Sequence, residues 1–126
     1  MISKNTSIHK SAIIGKNVEI QDYCFIGENV KIGDNCKLHC SVYVSGHTTI
    51  GTNNIFYPFC TIGSDPQDLK FKGEKSFLEI GNNNIFREYC NISLGTQHGG
   101  LKTIIGNSSL FMIGSHVGHD CKMGDR

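Results

Sequence analysis

The segment "SHVGHD", Ser115 to Asp120, places two histidines three apart, with an aspartate beside the second. Three uses compete for these side chains. As metal ligands, His116 and His119 need a third donor, and His98 is the nearby candidate. As a general base, a neutral imidazole beside a carboxylate suits removal of a hydroxyl proton, because its reference pKa is about 6.5. As residues on a polar wall, they do no chemistry at all. Neighbours in an extended strand point to opposite sides, so His119 and Asp120 can cooperate only where the chain turns a corner.

The element that positions them is a repeat of six. Stepping by six from Ile8 gives Ile14, Ile20, Ile26, Ile32, Leu38, Val44, Ile50, Phe56 and Ile62. In a chain that is 38% hydrophobic, chance would produce this unbroken run about six times in 100,000. The frame resumes at Ile80, Phe86 and Ile92, and again at Ile105, Phe111, Val117 and Met123. Gly often follows the apolar residue, and Asn stands three past it at positions 17, 29, 35, 53 and 83. Both residue types tolerate left-handed backbone angles, so the chain can turn after each short strand. A helical period of 3.6 cannot produce a strict six. The expected fold is all-β: a parallel β-helix of three short faces, about 18 residues per turn and about 4.8 Å between turns.

Two excursions interrupt the hexads, Ser64 to Glu79 and Ser93 to Ile104, within one domain spanning 1–126. Counting by threes puts Ile8, Ile26, Val44, Ile62, Ile92 and Val117 on one face. Both excursions then leave from the same edge, and His119 lies on it. Long loops in a compact repeat carry function, so this corner is the candidate site. Cys24, Cys36, Cys60, Cys90 and Cys121 each fall two before a repeat position and are expected to face inward as core fillers with free thiols. There is no CxxC pair, and no metal site is expected.

A formal charge of +1 gives no signal for nucleic acid. The opening "MISKNTSIHKSAIIG" lacks a signal peptide's apolar segment, and no run approaches the roughly 20 apolar residues of a membrane span. A cytoplasmic protein without membrane insertion is expected.

The hexads, followed by "IGSDPQDLKFKGE", "GTQHGGLKTIIG" and "SHVGHDCKMG", resemble the hexapeptide-repeat acyltransferases, and within them the UDP-N-acetylglucosamine O-acyltransferases of lipid A biosynthesis. The resemblance implies a left-handed coil. It also implies transfer of a 3-hydroxyacyl chain from acyl carrier protein to the 3-hydroxyl of UDP-N-acetylglucosamine in a homotrimer. No resident cofactor is implied, since the acyl donor rides on the carrier's phosphopantetheine. His119 matches the family's general base and Asp120 its partner. Gln67, Asp68, Lys70 and His116 match the substrate-binding region. Where the family has "HRGT" this chain has "SLGT", so Ser93 and Leu94 replace a His and an Arg. The hexad begun at Met123 holds four of its six residues, and family members are about twice as long. The chain is therefore expected to be the amino-terminal part of a longer enzyme, inactive alone. Two other readings stand beside this one: a coenzyme A-dependent acetyltransferase and a non-catalytic β-helix scaffold. The scaffold would need a flat, repeated Thr face, of which "TTIGT" is the only trace.

Overall fold

Each hexad forms a strand of two to four residues and then a corner, in a computed structural model that describes residues Met1 to Arg126. All strand pairs are parallel, and three sheets wrap one interior. The first sheet stacks the strands Ser7–Ile8, Phe25–Ile26, Tyr43–Val44, Thr61–Ser64, Asn91–Ser93 and His116–Val117. These carry the six residues that counting by threes assigns to one face. The second sheet includes His47–Ile50, Phe77–Ile80, Lys102–Ile105 and Lys122–Met123, and the third includes Ile55–Phe56, Ile85–Phe86 and Leu110–Phe111.

The corners follow from backbone chemistry. Asn17, Asn29, Asn35, Asn53 and Asn83 all adopt the left-handed conformation, with φ between 57° and 65°. Asn reaches this region at low cost because its short side chain bonds locally. Tyr23, Ser41, Phe59, Tyr89, Ser108 and Asp120 hold the same slot, three past a repeat residue, and share its positive φ. Asp120 is thus a corner residue, with φ 63°.

Fourteen of the seventeen repeat side chains are buried; Ile8 and Ile14 are half-buried, and Met123 is exposed. Those three belong to the terminal coils, which have a neighbour on one side only. Cys121 departs from expectation for the same reason: it is exposed on the last coil, whereas Cys24, Cys36, Cys60 and Cys90 are buried. These four thiols donate to the backbone carbonyls of His39, Gly51, Arg87 and Met112 at 3.0–3.3 Å. Burial, with Cys90 close by, pushes the Cys60 thiol up to about 12, so it is protonated and inert at neutral pH. Every cysteine is free.

The interior also admits polar residues at the second inward position of each hexad. Asn54 and Asn84 are fully buried. Their amides donate to the carbonyls of Gly81 and Gly106, and their side-chain oxygens accept the N–H groups of Asn84 and Ser109. All these groups are paired across coils, which removes the penalty of burial.

The excursions are shorter than expected. Tyr43 pairs with Thr61, 18 residues on, but Thr61 pairs with Asn91, 30 residues on, so the first excursion adds 12. Asn91 pairs with His116, 25 residues on, so the second adds seven. Strand resumes at Phe77 and Lys102, inside the expected excursions, because Leu78 and Thr103 take the second inward position.

Candidate active site

His119 and Asp120 lie at the corner between the first and second sheets, where both excursions leave the coil. The left-handed backbone at Asp120 turns its carboxylate back toward its neighbour, and His119 Nδ1 sits 3.0 Å from Asp120 Oδ2. Oδ2 also accepts from the hydroxyl of Thr96, and Oδ1 accepts the Thr96 N–H at 2.6 Å. Burial alone would raise the Asp120 pKa, but the Thr96 hydroxyl, His119 and the Thr96 amide outweigh it and hold the carboxyl below its ordinary value. Asp120 is therefore ionised at neutral pH. A depressed carboxyl stabilises the fold above its unfolded pKa, and this contribution is lost as pH falls through the lowered value.

On the other side of the ring, Nε2 faces Asp68 Oδ2 at 4.0 Å, too long for a hydrogen bond. Asp68 is fixed by its own turn, since Oδ1 accepts the Lys70 N–H at 2.9 Å. The excursions are tied together by Glu74, whose carboxylate accepts the N–H of Lys72 at 2.8 Å and that of Gln97 at 3.0 Å. These backbone donors hold Glu74 below its usual pKa.

His116 is exposed on the outer wall, and its Nδ1 lies 2.7 Å from Asn91 Oδ1. Asn91 Nδ2 donates in turn to Ser64 Oγ at 3.1 Å, so a polar ladder across three coils orients the ring. Gln67 and Lys70 are exposed on the first excursion, and their side chains make no hydrogen bond or ion pair within the chain. His98 is exposed on the second, beside Glu74. No three His, Cys, Asp or Glu side chains converge as a metal would require. Ser93 is buried with its hydroxyl unpaired, and Leu94 joins the core, packing where a Cβ on Gly46 would stand. Neither supplies a charge to the corner.

Sequence reasoning missed Thr96, Thr103, Glu74 and Asn91. Their roles are contacts between coils and loops; the "GTQHGG" and "FKGE" segments hinted at Thr96 and Glu74, and nothing marked Thr103 or Asn91. The site is an open corner: both concavities of the chain lie at its other end, one among Met1, Ser3, Glu19 to Asp22 and Cys40, the other among Ser7 to His9 and Phe25 to Glu28. No helix is long and apolar enough to cross a membrane.

Comparison with known proteins agrees with this architecture. An acyl-[acyl-carrier-protein]–UDP-N-acetylglucosamine O-acyltransferase from Rickettsia conorii is 47% identical, over 94% of this chain and 47% of the relative. LpxA from Acinetobacter baumannii superposes with a TM-score of 0.97 at 46% identity, covering 98% of this chain and 48% of that one. The corresponding enzyme from Bacteroides fragilis gives a TM-score of 0.96 at 47% identity, covering 99% and 49%. The chain thus spans about half the length of the relatives it matches. Its winding is that of a left-handed parallel β-helix. The model of the bacterial transferase hexapeptide repeat, six repeats long, matches residues 1–33 and 29–64. On the repeat, the corner geometry and that match, the chain belongs to the bacterial hexapeptide-repeat transferases.

Proposed function

We propose that this chain carries the base-bearing part of an O-acyltransferase that moves a 3-hydroxyacyl group from acyl carrier protein to the 3-hydroxyl of UDP-N-acetylglucosamine, the first step of lipid A biosynthesis. The observation that carries the reading is the His119–Asp120 pair, with Nδ1 engaged by the carboxylate and Nε2 turned toward Asp68 across a gap too wide for a direct bond.

A sugar hydroxyl placed in that gap can give its proton to Nε2 as its oxygen attacks the thioester carbonyl. Asp120 stabilises the imidazolium that forms. Collapse of the tetrahedral adduct breaks the carbon–sulfur bond, and the departing thiolate of the carrier takes the proton back from Nε2. Asp68, Lys70, Gln67 and His116 line the approach and hold the nucleotide sugar. The acyl chain arrives on the carrier's own phosphopantetheine, so the reaction calls for no resident cofactor.

The partner protein is acyl carrier protein, and the assembly is a homotrimer in the cytoplasm. An open corner supports a site completed by a neighbouring subunit. So does the exposed aromatic edge of Tyr23, Phe25, Tyr43, Phe59 and Tyr89, in which Phe25 stacks on Tyr43 and Phe59 on Tyr89. Six free cysteines fit a reducing compartment.

The test joins these 126 residues to the carboxy-terminal half of the Bacteroides fragilis relative. The joined protein should sediment as a trimer and acylate UDP-N-acetylglucosamine from 3-hydroxyacyl carrier protein, but not from a coenzyme A thioester. The 126 residues alone should bind the nucleotide sugar weakly and transfer nothing. Consumption of acetyl-coenzyme A in place of the carrier thioester would assign the chain to the acetyltransferases instead.

A further inference from the structure

His119 can accept a proton at Nε2 only while Nδ1 already carries one, so the carboxylate that meets Nδ1 must be held in place. The last coil does not hold it. The grip comes from the second excursion, 24 residues earlier in sequence, where one residue reaches both carboxylate oxygens. We propose that Thr96 is a positioning residue: its hydroxyl and amide together clamp Asp120, so that neutral His119 keeps its proton on Nδ1 and presents Nε2 as the acceptor. The proposal rests on reading His119 as the base.

Four observations support it. Thr96 is 3% exposed and the Asp120 side chain 14%, so water competes little for the contact. Thr96 is itself fixed, because its carbonyl accepts the N–H of Leu101 at 2.6 Å and of Gly99 at 3.2 Å. The far end of the same loop reaches the same residue: the Asp120 N–H donates to Oγ1 of fully buried Thr103 at 2.9 Å, which secures the corner conformation. Finally, the loop leaves room for the carboxylate only because residue 99 is glycine; a Cβ there would run into the Asp120 carboxyl carbon.

Imidazole 1H–15N correlation spectra of the 126-residue chain test this without any substrate, so a wrong acyl donor or an inactive chain cannot obscure the answer. At a pH where the ring is neutral, wild type and Thr96→Ser should show His119 predominantly protonated on Nδ1. Thr96→Val, or Thr96→Ala should the extra methyl not be accommodated, should raise the Nε2–H to Nδ1–H ratio roughly tenfold, the scale of one lost hydrogen bond to a charged group. His116, whose Nδ1 meets Asn91, should not change and serves as the internal control. If the variants speed amide exchange in residues 97–101 but leave the His119 tautomer as it was, Thr96 merely fastens the loop and the proposal is overturned.

Discussion

His119→Ala, made in the chain joined to the carboxy-terminal half of a relative, is expected to lower kcat at least 100-fold, within the roughly 10²- to 10⁴-fold that one general base contributes. The KM for the nucleotide sugar should change little, because the contacts assigned to Asp68, Lys70 and His116 remain. The fold should be unaffected, since the His119 side chain is 36% exposed at a corner and outside the core. Steady-state kinetics with purified carrier thioester, alongside circular dichroism, decide the matter. Near-normal turnover would remove His119 from the role of base. A matched loss in kcat and kcat/KM would place the interaction in the transition state.

The largest effect on stability should come from Phe86→Ala. This ring lies between Phe56 and Phe111, with centroids 4.7 Å from each and planes within 4°, and it is fully buried. Deleting it opens a ring-sized void in a column that strand pairing keeps from collapsing. The cost should be about 3–5 kcal/mol, as for other buried Phe truncations. Tyr89→Ala is the control: this residue is 62% exposed and its ring stacks only on Phe59, itself half in solvent. Urea midpoints at constant m-value measure the difference. A Phe86→Ala loss below that of Tyr89→Ala would mean that the aromatic column adds nothing to holding the coils together.

Much of this architecture was legible because one physical rule repeats. An aliphatic side chain every sixth residue and an Asn three further on, as at Ile50 and Asn53, marks strand and corner alike, and the shared face followed from counting. What was not legible has equally specific causes. The second inward position of each hexad accepts Val18, Cys36, Thr48, Asn54 or Leu78, so it has no hydropathy signature, and the ends of the excursions were misplaced by it. Cys121 follows the inward pattern yet is exposed, because no neighbouring coil within these 126 residues packs over it. The histidine and aspartate of the site could be seen as adjacent letters. The groups that hold Asp120, Thr96 and Thr103, come from another coil, and contacts between coils separated by an irregular loop leave no period to detect.

The left-handed slot at Asp120 has a further implication for how such a site arises. Glu28 and Asn29, two and three past Ile26 on the same edge of the coil, hold the same stations as His119 and Asp120 do past Val117, and Asn29 has φ 65° against 63° for Asp120. The backbone geometry of the pair is therefore not peculiar to the site: the scaffold repeats it at Asn29, before any chemistry is written into it. A histidine and an aspartate installed at 28 and 29 would inherit that geometry, yet would lack the loop that clamps the carboxylate and the loop that faces the imidazole. Catalytic ability on this framework is thus a matter of address: invention lies in which turns acquire insertions, and the reacting pair is the easier part to evolve.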